Sequence, residues 1–309
     1  MRNLKKYILK RVFQTIIVLM GVTFVTFFLV NVLPGDPVSV MMEGRADKAT
    51  IERIRHEMGL DKPLMNQYGD FLKNAVTGNF GASFSTKMDV KDMIRKSFVY
   101  TAKLGTCSLL WGASIGIFIG IISALNRGKV WDRILMGFAM LGISAPSFWI
   151  AIILQIILGL KIGIFPISGV DSVASFVLPT IALGSRYVAS FSRITRTSMV
   201  EVLSNDYIRT SKAMGISEVK IVFKYALKNA LSPIVTFLGL SVKGVLGGAV
   251  LIETVFSIPG IGRLMVSSVM ARDIPLIQGC TIYIAFIFVV VNLIVDILYV
   301  FLDPQVKIS

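Results

Sequence analysis

The sequence predicts an all-α polytopic membrane protein with six transmembrane helices. Its composition is the first reason: 54% of the 309 residues are hydrophobic, 16% are charged, and the mean hydropathy is +0.75, which is more apolar than soluble domains are. Apolar stretches of about 20 residues, the length that a helix needs to cross the hydrocarbon core, recur along the chain. The third reason is that lysine and arginine concentrate in alternate segments between these stretches.

Four long apolar stretches are clear candidates, and each predicts a span: Val12–Leu33, Leu104–Leu125, Ile134–Leu160 and Leu276–Leu302. Two further stretches, Phe176–Arg196 and Leu231–Ile252, are weaker because Arg186 and Lys243 interrupt them. The basic N-terminus resembles the start of a signal peptide. The first apolar stretch is longer than a typical signal-peptide core and lacks an A-x-A-like cleavage site, so we expect an uncleaved span.

The distribution of charge predicts the orientation of the chain. With the N-terminus in the cytoplasm, the cytoplasmic segments are residues 1–11, 126–133, 193–230 and 303–309, and together they hold sixteen Lys/Arg and five Asp/Glu. Cytoplasmic loops of membrane proteins carry such an excess of positive charge. Both termini are therefore expected in the cytoplasm. Because topology accounts for the net charge of +14, membrane lipid is the predicted neighbour and nucleic acid is not.

The spans divide the chain into three parts. Residues 1–33 form an N-terminal cytoplasmic tail and the first span, residues 34–98 an extracellular segment of nearly balanced charge, and residues 99–309 a core with five spans. Within the extracellular segment, Thr50–Met58 has a helical pattern and Asn79–Ser85 a strand-like one. These patterns predict a small folded element between the first two spans.

Residue types that carry enzyme chemistry are sparse. Cys107 and Cys280 both lie in apolar stretches, where packing is the expected role, and His56 is the single histidine, so no metal site or disulfide framework is predicted. The spans contain no Ser/His or paired-Asp arrangement, which argues against an intramembrane enzyme. The phosphate-binding motif GxxxxGK(S/T) is also missing, because Gly128-Lys129 is followed by Val130. We predict no catalytic residue and no cofactor bound by this chain.

The cytoplasmic segment between spans four and five has the most informative pattern. Apolar residues recur at helical spacing in its second half: Val219, Val222, Phe223, Ala226, Leu227 and Ala230. A second such stripe precedes them: Val200, Leu203, Tyr207 and Met214. Gly215 separates the stripes, Ser217 is a candidate N-cap, and Pro233 is expected to end the second helix. A helix, glycine turn, helix unit of this kind either docks a cytoplasmic partner or lies on anionic lipid.

The loop around Gly215 resembles the cytoplasmic loop of ABC-importer permeases, in which a short helix inserts into a groove of the ATPase subunit. The matching residues are Asp206-Tyr207-Ile208-Arg209-Thr210, Ala213-Met214-Gly215 and Ala226-Leu227-Lys228-Asn229-Ala230-Leu231. They are similar to those of the dipeptide, oligopeptide and nickel branch. Arg209, Thr210 and Ser211 stand where the general form has Glu-Ala-Ala, and Lys228 stands where it has proline.

Other stretches along nearly the whole chain resemble the same branch: Leu33-Pro34-Gly35-Asp36-Pro37, Gly59-Leu60-Asp61-Lys62-Pro63-Leu64, Gly78-Asn79-Phe80-Gly81, Ile258-Pro259-Gly260-Ile261-Gly262, Arg272-Asp273-Ile274-Pro275 and Asp303-Pro304. The chain is similar to the first, B-type permease of a pair, with the type I ABC-importer permease fold. The resemblance implies a second homologous permease, two ATPase subunits that bind ATP and Mg²⁺, an extracellular solute-binding protein, and the inner membrane of a bacterial or archaeal cell. It assigns ATPase docking, within a loop at about 199–230, to Asp206, Tyr207, Arg209, Thr210, Ala213, Met214 and Gly215.

Polar residues within the spans are candidates for the transport pathway. Arg186 and Lys243 lie near the middle of their spans, where a charge costs at least about 2.5 kcal/mol on insertion scales. They either line a water-filled path and attract a peptide carboxylate, or pair and snorkel within the protein. Pro146 should kink span three, and Ser144 and Pro146 are further pathway candidates.

Three functions remain open on these observations. The favoured one is import of di- or oligopeptides, and the alternative is a permease of the same architecture for nickel or another metal chelate. A passive channel would explain polar residues in the spans, but it leaves the glycine-centred helix pair unexplained.

Overall fold

The computed structural model describes residues 2–32, 38, 47–57, 59–245 and 249–302. These residues form two compact units. The first unit comprises residues 1–100 together with 259–309, and the second comprises residues 101–258.

Helices follow one another along the described chain as α1 (Arg2–Val32), α2 (Lys48–Glu57), α3 (Leu64–Thr77), α4 (Val90–Leu125), α5 (Val130–Ser144), α6 (Ser147–Leu154), α7 (Val177–Leu203), α8 (Asp206–Ala213), α9 (Glu218–Lys220), α10 (Leu227–Val245), α11 (Val250–Val255), α12 (Ile261–Met270) and α13 (Ile274–Leu302). Two π-helical segments interrupt the regular pattern: Gln155–Lys161 extends α6, and Ile221–Ala226 joins α9 to α10. A short 3-10 turn, Val173–Phe176, leads into α7.

Within the described residues, five segments are long and apolar enough to cross a bilayer: Leu9–Leu29, Val90–Leu125, Val173–Leu203, Glu218–Val242 and Ile274–Ile297. The pair α5 and α6, with its π-helical extension to Lys161, also passes this test, but it bends by 105° at a short break. Counting the bent pair as one broken span gives six spans. The prediction of an all-α, six-span protein is confirmed in this sense.

The break in the third span lies at the predicted proline. Ala145 has an extended backbone (φ −95°, ψ 137°) and Pro146 occupies the N-cap position of α6. The residue before a proline is pushed out of the helical region because the ring collides with its backbone. The change of direction is larger than a kink, since Ala145 leaves the helix altogether.

Two expectations about the chain's local structure are wrong. Pro233 does not end a helix but lies inside α10, which membrane helices tolerate because neighbouring groups can satisfy the freed carbonyl. As a result the fifth apolar segment begins at Glu218 and ends at Val242, earlier than predicted. The strand-like stretch Asn79–Ser85 forms turns with one isolated antiparallel bridge, Ala82 to Asp89, since the described part of the chain offers it no partner strand.

The first unit packs the start of α4 against α12 and α13. Its core contains Val90, Ile94, Ile261, Leu276 and Cys280, so Cys280 has the packing role expected of it, whereas Cys107 is exposed. A second contact within the unit is polar. Asp273, just before α13, is fully buried and accepts hydrogen bonds from the hydroxyls of Ser83 (2.6 Å) and Ser85 (2.8 Å).

The Asp273 contact joins the segment before α4 to the start of α13. Burial opposes ionisation of the Asp273 carboxyl, but the hydrogen bonds from Ser83 and Ser85 outweigh this effect, so its pKa lies below the ordinary value of 3.8. The carboxyl is therefore ionised at neutral pH. Its charge is satisfied by the donors of the 83–85 turn.

In the second unit, α4 and α7 approach so closely that their backbones touch. A Cβ placed on Gly112, Gly116 or Gly120 would lie 2.7 Å from the carbonyl oxygens of Gly184, Val188 and Ser192, respectively. Small residues at intervals of four make such an approach possible in membrane helices. The contact turns one face of α7 inward, including Val188, Phe191, Ser192 and Thr195, all of them buried.

We expect Gly116→Ala to destabilise the protein. The added methyl group would meet the Val188 carbonyl and the Phe191 Cβ, both at 2.7 Å, and overpacking against backbone costs about 1–3 kcal/mol. A thermal unfolding series in detergent measures the effect. The matched control is Gly137→Ala on α5, where a Cβ would meet nothing within 4 Å. This control should be neutral or stabilising, because alanine favours helices by up to about 1 kcal/mol over glycine. Equal unfolding temperatures for the two variants would contradict the packing argument.

Candidate functional site

The predicted glycine turn ends helix α8. Gly215 has φ of +75°, a left-handed conformation that side chains other than glycine and asparagine avoid. The Gly215 N–H bonds to the Lys212 carbonyl at 3.0 Å, and the Ile216 N–H bonds to the Ser211 carbonyl at 3.3 Å. These two bonds define a Schellman motif, which satisfies the free carbonyls at a helix C-terminus. The helix, glycine turn, helix unit is therefore present; residues 206–230 are called the turn segment below.

The turn segment packs one face against its own chain. Five buried apolar residues of this face form one core cluster with Ile121 and Ala124 at the end of α4 and Met199 near the end of α7: Ile208, Ile221, Val222, Ala226 and Ala230. Tyr207 adds a polar contact, since its hydroxyl oxygen accepts a hydrogen bond from the Asn229 side-chain amide at 2.7 Å. Ser217 takes the N-cap position before α9 as expected, but its side chain forms no capping bond.

The opposite face of the turn segment is exposed. It contains all seven residues assigned to ATPase docking: Asp206, Tyr207, Arg209, Thr210, Ala213, Met214 and Gly215. Large apolar side chains are exposed there as well, with Met214 73%, Val219 69% and Phe223 59% accessible. The predicted apolar stripe is thus wrong in part, because Val222, Ala226 and Ala230 point inward whereas Val219 and Phe223 point outward. The π-helical turn at Ile221–Ala226 explains the error, since its i→i+5 bonding breaks the 3.6-residue period.

A partly buried ion pair, which no sequence pattern indicates, lies next to this packing. Arg196 of α7 donates two hydrogen bonds to Asp132 of α5, both at 2.7 Å. Asp132 also accepts hydrogen bonds from the Ser123 hydroxyl at 2.5 Å and the Gly128 backbone N–H at 2.9 Å. This two-pronged geometry is the strongest that arginine and carboxylate form. These hydrogen bonds hold α4, α5 and α7 together. Arg196 lies about one helical turn before Met199 on α7.

The candidate pathway residues fall into two groups. Ser144 and Pro146 are exposed at the break between α5 and α6, and Arg186 is exposed on α7. A Cβ added to Gly142 of α5 would collide with the Ser185 carbonyl oxygen of α7, so the break and Arg186 occupy neighbouring parts of two packed helices. Lys243 belongs to α10 by its backbone, but its side chain lies outside the described part of the structure, and its role stays a prediction.

Two further charged groups have partners that sequence patterns did not reveal. Asp296 of α13 forms an ion pair with Arg11 of α1, with 3.2 Å between nitrogen and oxygen. Glu253 of α11 is fully buried and accepts a hydrogen bond from the Thr101 hydroxyl at 2.7 Å. Each pair joins residues more than 150 positions apart, and periodicity within one segment carries no signal for such contacts.

Comparisons with known proteins agree with this architecture. Residues 116–308 match the model of the family "Binding-protein-dependent transport system inner membrane component", and residues 4–105 match its N-terminal companion. The glutathione transport system permease protein GsiC of Escherichia coli strain K12 is 39% identical over 301 residues, which are 97% of this chain and 98% of that protein. The proteins of the same name from Shigella dysenteriae serotype 1 and Shigella boydii serotype 4 give the same identity and coverage. The chain belongs to the family of binding-protein-dependent transport system inner membrane components.

Proposed function

We propose that this ABC-importer permease subunit carries small peptides across the inner membrane, and that its turn segment binds an ATPase subunit in the cytoplasm. A second, homologous permease would complete the pathway, two ATPase subunits would hydrolyse ATP, and an external binding protein would deliver the peptide. The orientation rests on the excess of positive charge in the segments that include the turn segment. Similarity to permeases named for glutathione, a tripeptide, supports a peptide substrate.

The outward face of the turn segment is the observation that carries the docking proposal. Met214, Val219 and Phe223 are each more than half exposed, although the other face of the same segment is packed. Val219 and Phe223 belong to the first turns of the 25-residue apolar segment Glu218–Val242, which is longer than the about 20 residues that a span needs, and we place them on its cytoplasmic side. Large apolar side chains exposed together there mark an interaction surface. Lys220 and Lys224 are exposed close by, so a partner with an apolar groove and acidic rim fits this face.

Packing within the second unit offers a route from the docking surface to the spans. The inward face of the turn segment contacts Met199 on α7. The Asp132 and Arg196 ion pair ties that part of α7 to α5, whose other end reaches the break at Pro146. Movement of an attached ATPase would therefore displace helices that carry the candidate pathway residues. Such a two-state shift requires ATP and the loaded binding protein to favour different states.

The transport proposal predicts ATP-dependent uptake. A complex of this chain with its partner permease, ATPase subunits and binding protein, reconstituted in vesicles, should accumulate a radiolabelled tripeptide only when ATP is present on the ATPase side. Flux of the same probe without ATP would contradict an importer and indicate a channel. A complex carrying an ATPase subunit with its catalytic glutamate replaced by glutamine is the matched control.

The left-handed backbone of Gly215 predicts which substitutions at this position preserve ATP-dependent uptake. Because a left-handed conformation costs ordinary residues roughly 1–2 kcal/mol, Gly215→Val should open the turn and abolish ATP-dependent uptake, while membrane insertion is retained. Gly215→Asn is the control, since asparagine tolerates this conformation and a side chain at this position meets nothing within 4 Å. Full uptake by the valine variant would contradict the docking role.

Phe223→Glu should weaken ATPase binding by at least about tenfold, because burying a large apolar side chain contributes about 1.5–3 kcal/mol and tenfold corresponds to 1.4 kcal/mol. Titration of the ATPase subunit onto the permease pair in nanodiscs measures the affinity. Val76→Glu is the matched control, since Val76 on α3 is equally apolar and 87% exposed. Unchanged affinity for the Phe223→Glu variant, together with weaker lipid contact, would favour the lipid-bound alternative for the turn segment.

A further inference from the structure

Helix α7 has a polar stripe on the face that does not touch α4. Its members follow one another at helical spacing: Arg186, Ser190, Arg193 and Thr197. Arg186, Arg193 and Thr197 are exposed and Ser190 is partly exposed, whereas Val188, Phe191 and Thr195 on the opposite side are buried. Contacts with the glycines of α4 fix the rotation of α7 about its axis. These four polar side chains therefore face outward together.

Lipid is a poor environment for this stripe. Arg186 lies nine residues after the start of α7, or about 13 Å along the helix, which is near the middle of a hydrocarbon core about 30 Å thick. Cations at that depth face a bundle interior or water rather than acyl chains. Arg193 follows two turns later on the same face, about 10 Å further along.

The charges of the stripe are not neutralised within the described chain. Neither Arg186 nor Arg193 takes part in an ion pair with a described residue, in contrast to Arg196, which is paired with Asp132. Arg186 approaches only the Tyr187 ring, at 5.9 Å from its centroid. Ser190 and Thr197 donate their hydroxyl protons to the carbonyls of Arg186 and Arg193, at 3.0 Å and 2.9 Å. The two cations thus remain available to an anion.

We propose that the Arg186–Thr197 stripe lines the aqueous path and that Arg186 and Arg193 form two successive sites for carboxylates of the transported peptide. The inference rests on the proposed import function and deepens it by naming the chemistry of the substrate. The 10 Å between the two cations is about the length of three extended residues. An anionic peptide can therefore leave one cation as it reaches the next, and the spacing favours short peptides that carry carboxylates.

Cysteine chemistry in the assembled complex tests this inference without knowledge of the natural peptide. In a background with Cys107→Ser and Cys280→Ala, Ser190→Cys is treated with an anionic reagent, sulfonatoethyl methanethiosulfonate, or a cationic one, trimethylammonioethyl methanethiosulfonate. Rates are divided by those of 2-mercaptoethanol with the same reagent, which removes intrinsic differences in reactivity. Ser192→Cys is the matched control, since Ser192 is the same residue type on the same helix but fully buried.

We expect Ser190→Cys to react readily, with a normalised preference of about tenfold for the anionic reagent, because a path lined by one sign of charge concentrates the opposite sign. Arg186→Gln and Arg193→Gln should each reduce this preference, and Arg186→Lys should retain it. No reaction at Ser190→Cys, as at Ser192→Cys, would overturn the proposal by indicating that the partner permease or lipid covers the stripe. Reaction without charge preference would overturn the role of the cations. Uptake by the same complex is measured in parallel, so a failure of import is distinguished from a failure of the stripe.

Discussion

Backbone contact between α4 and α7 determines the direction in which each side chain of α7 points. Gly112, Gly116 and Gly120 allow the two helices to touch along three successive turns, and a helix held at three points of one face has no freedom to rotate on its neighbour. The buried face of α7, its polar stripe and the position of Met199 all follow from this single constraint. The Asp132 and Arg196 pair reinforces the contact at the end of α7.

Much of the fold is predictable from the sequence because span length and charge asymmetry are properties of local composition. The third span illustrates both the strength and the limit of such reasoning. Pro146 correctly indicates a disruption, because its ring excludes a helical conformation for Ala145. The size of the bend, 105°, depends on how α5 and α6 pack against other helices. Pro233 is the opposite case, since the same residue type lies inside a continuous helix.

The turn segment is predictable at Gly215 and less so on either side. A glycine between two apolar stripes indicates a left-handed helix end, and the observed φ of +75° agrees. The prediction that the apolar residues after Gly215 share one face fails, because a π-helical turn shifts the register by about one residue. The residue types in Ile221–Ala226 do not indicate that turn. Long-range pairs such as Asp132 with Arg196 are invisible for a different reason. Each partner looks like an ordinary charged residue in a cytoplasmic loop until the fold brings them together.

The polar stripe of α7 could have been read from the sequence, since Arg186, Ser190, Arg193 and Thr197 follow a helical period. The charge distribution places Arg193 in a cytoplasmic segment and so singles out only Arg186 within the span, whereas α7 continues to Leu203. That continuity matters mechanically. An uninterrupted helix moves as one rigid body, so a displacement of α7 at Met199 also moves Arg186, about 20 Å away. Because α4 holds α7 along three turns, the two helices would move together. A displacement of the turn segment would therefore change the surroundings of the polar stripe without changing which side chains of α7 face α4.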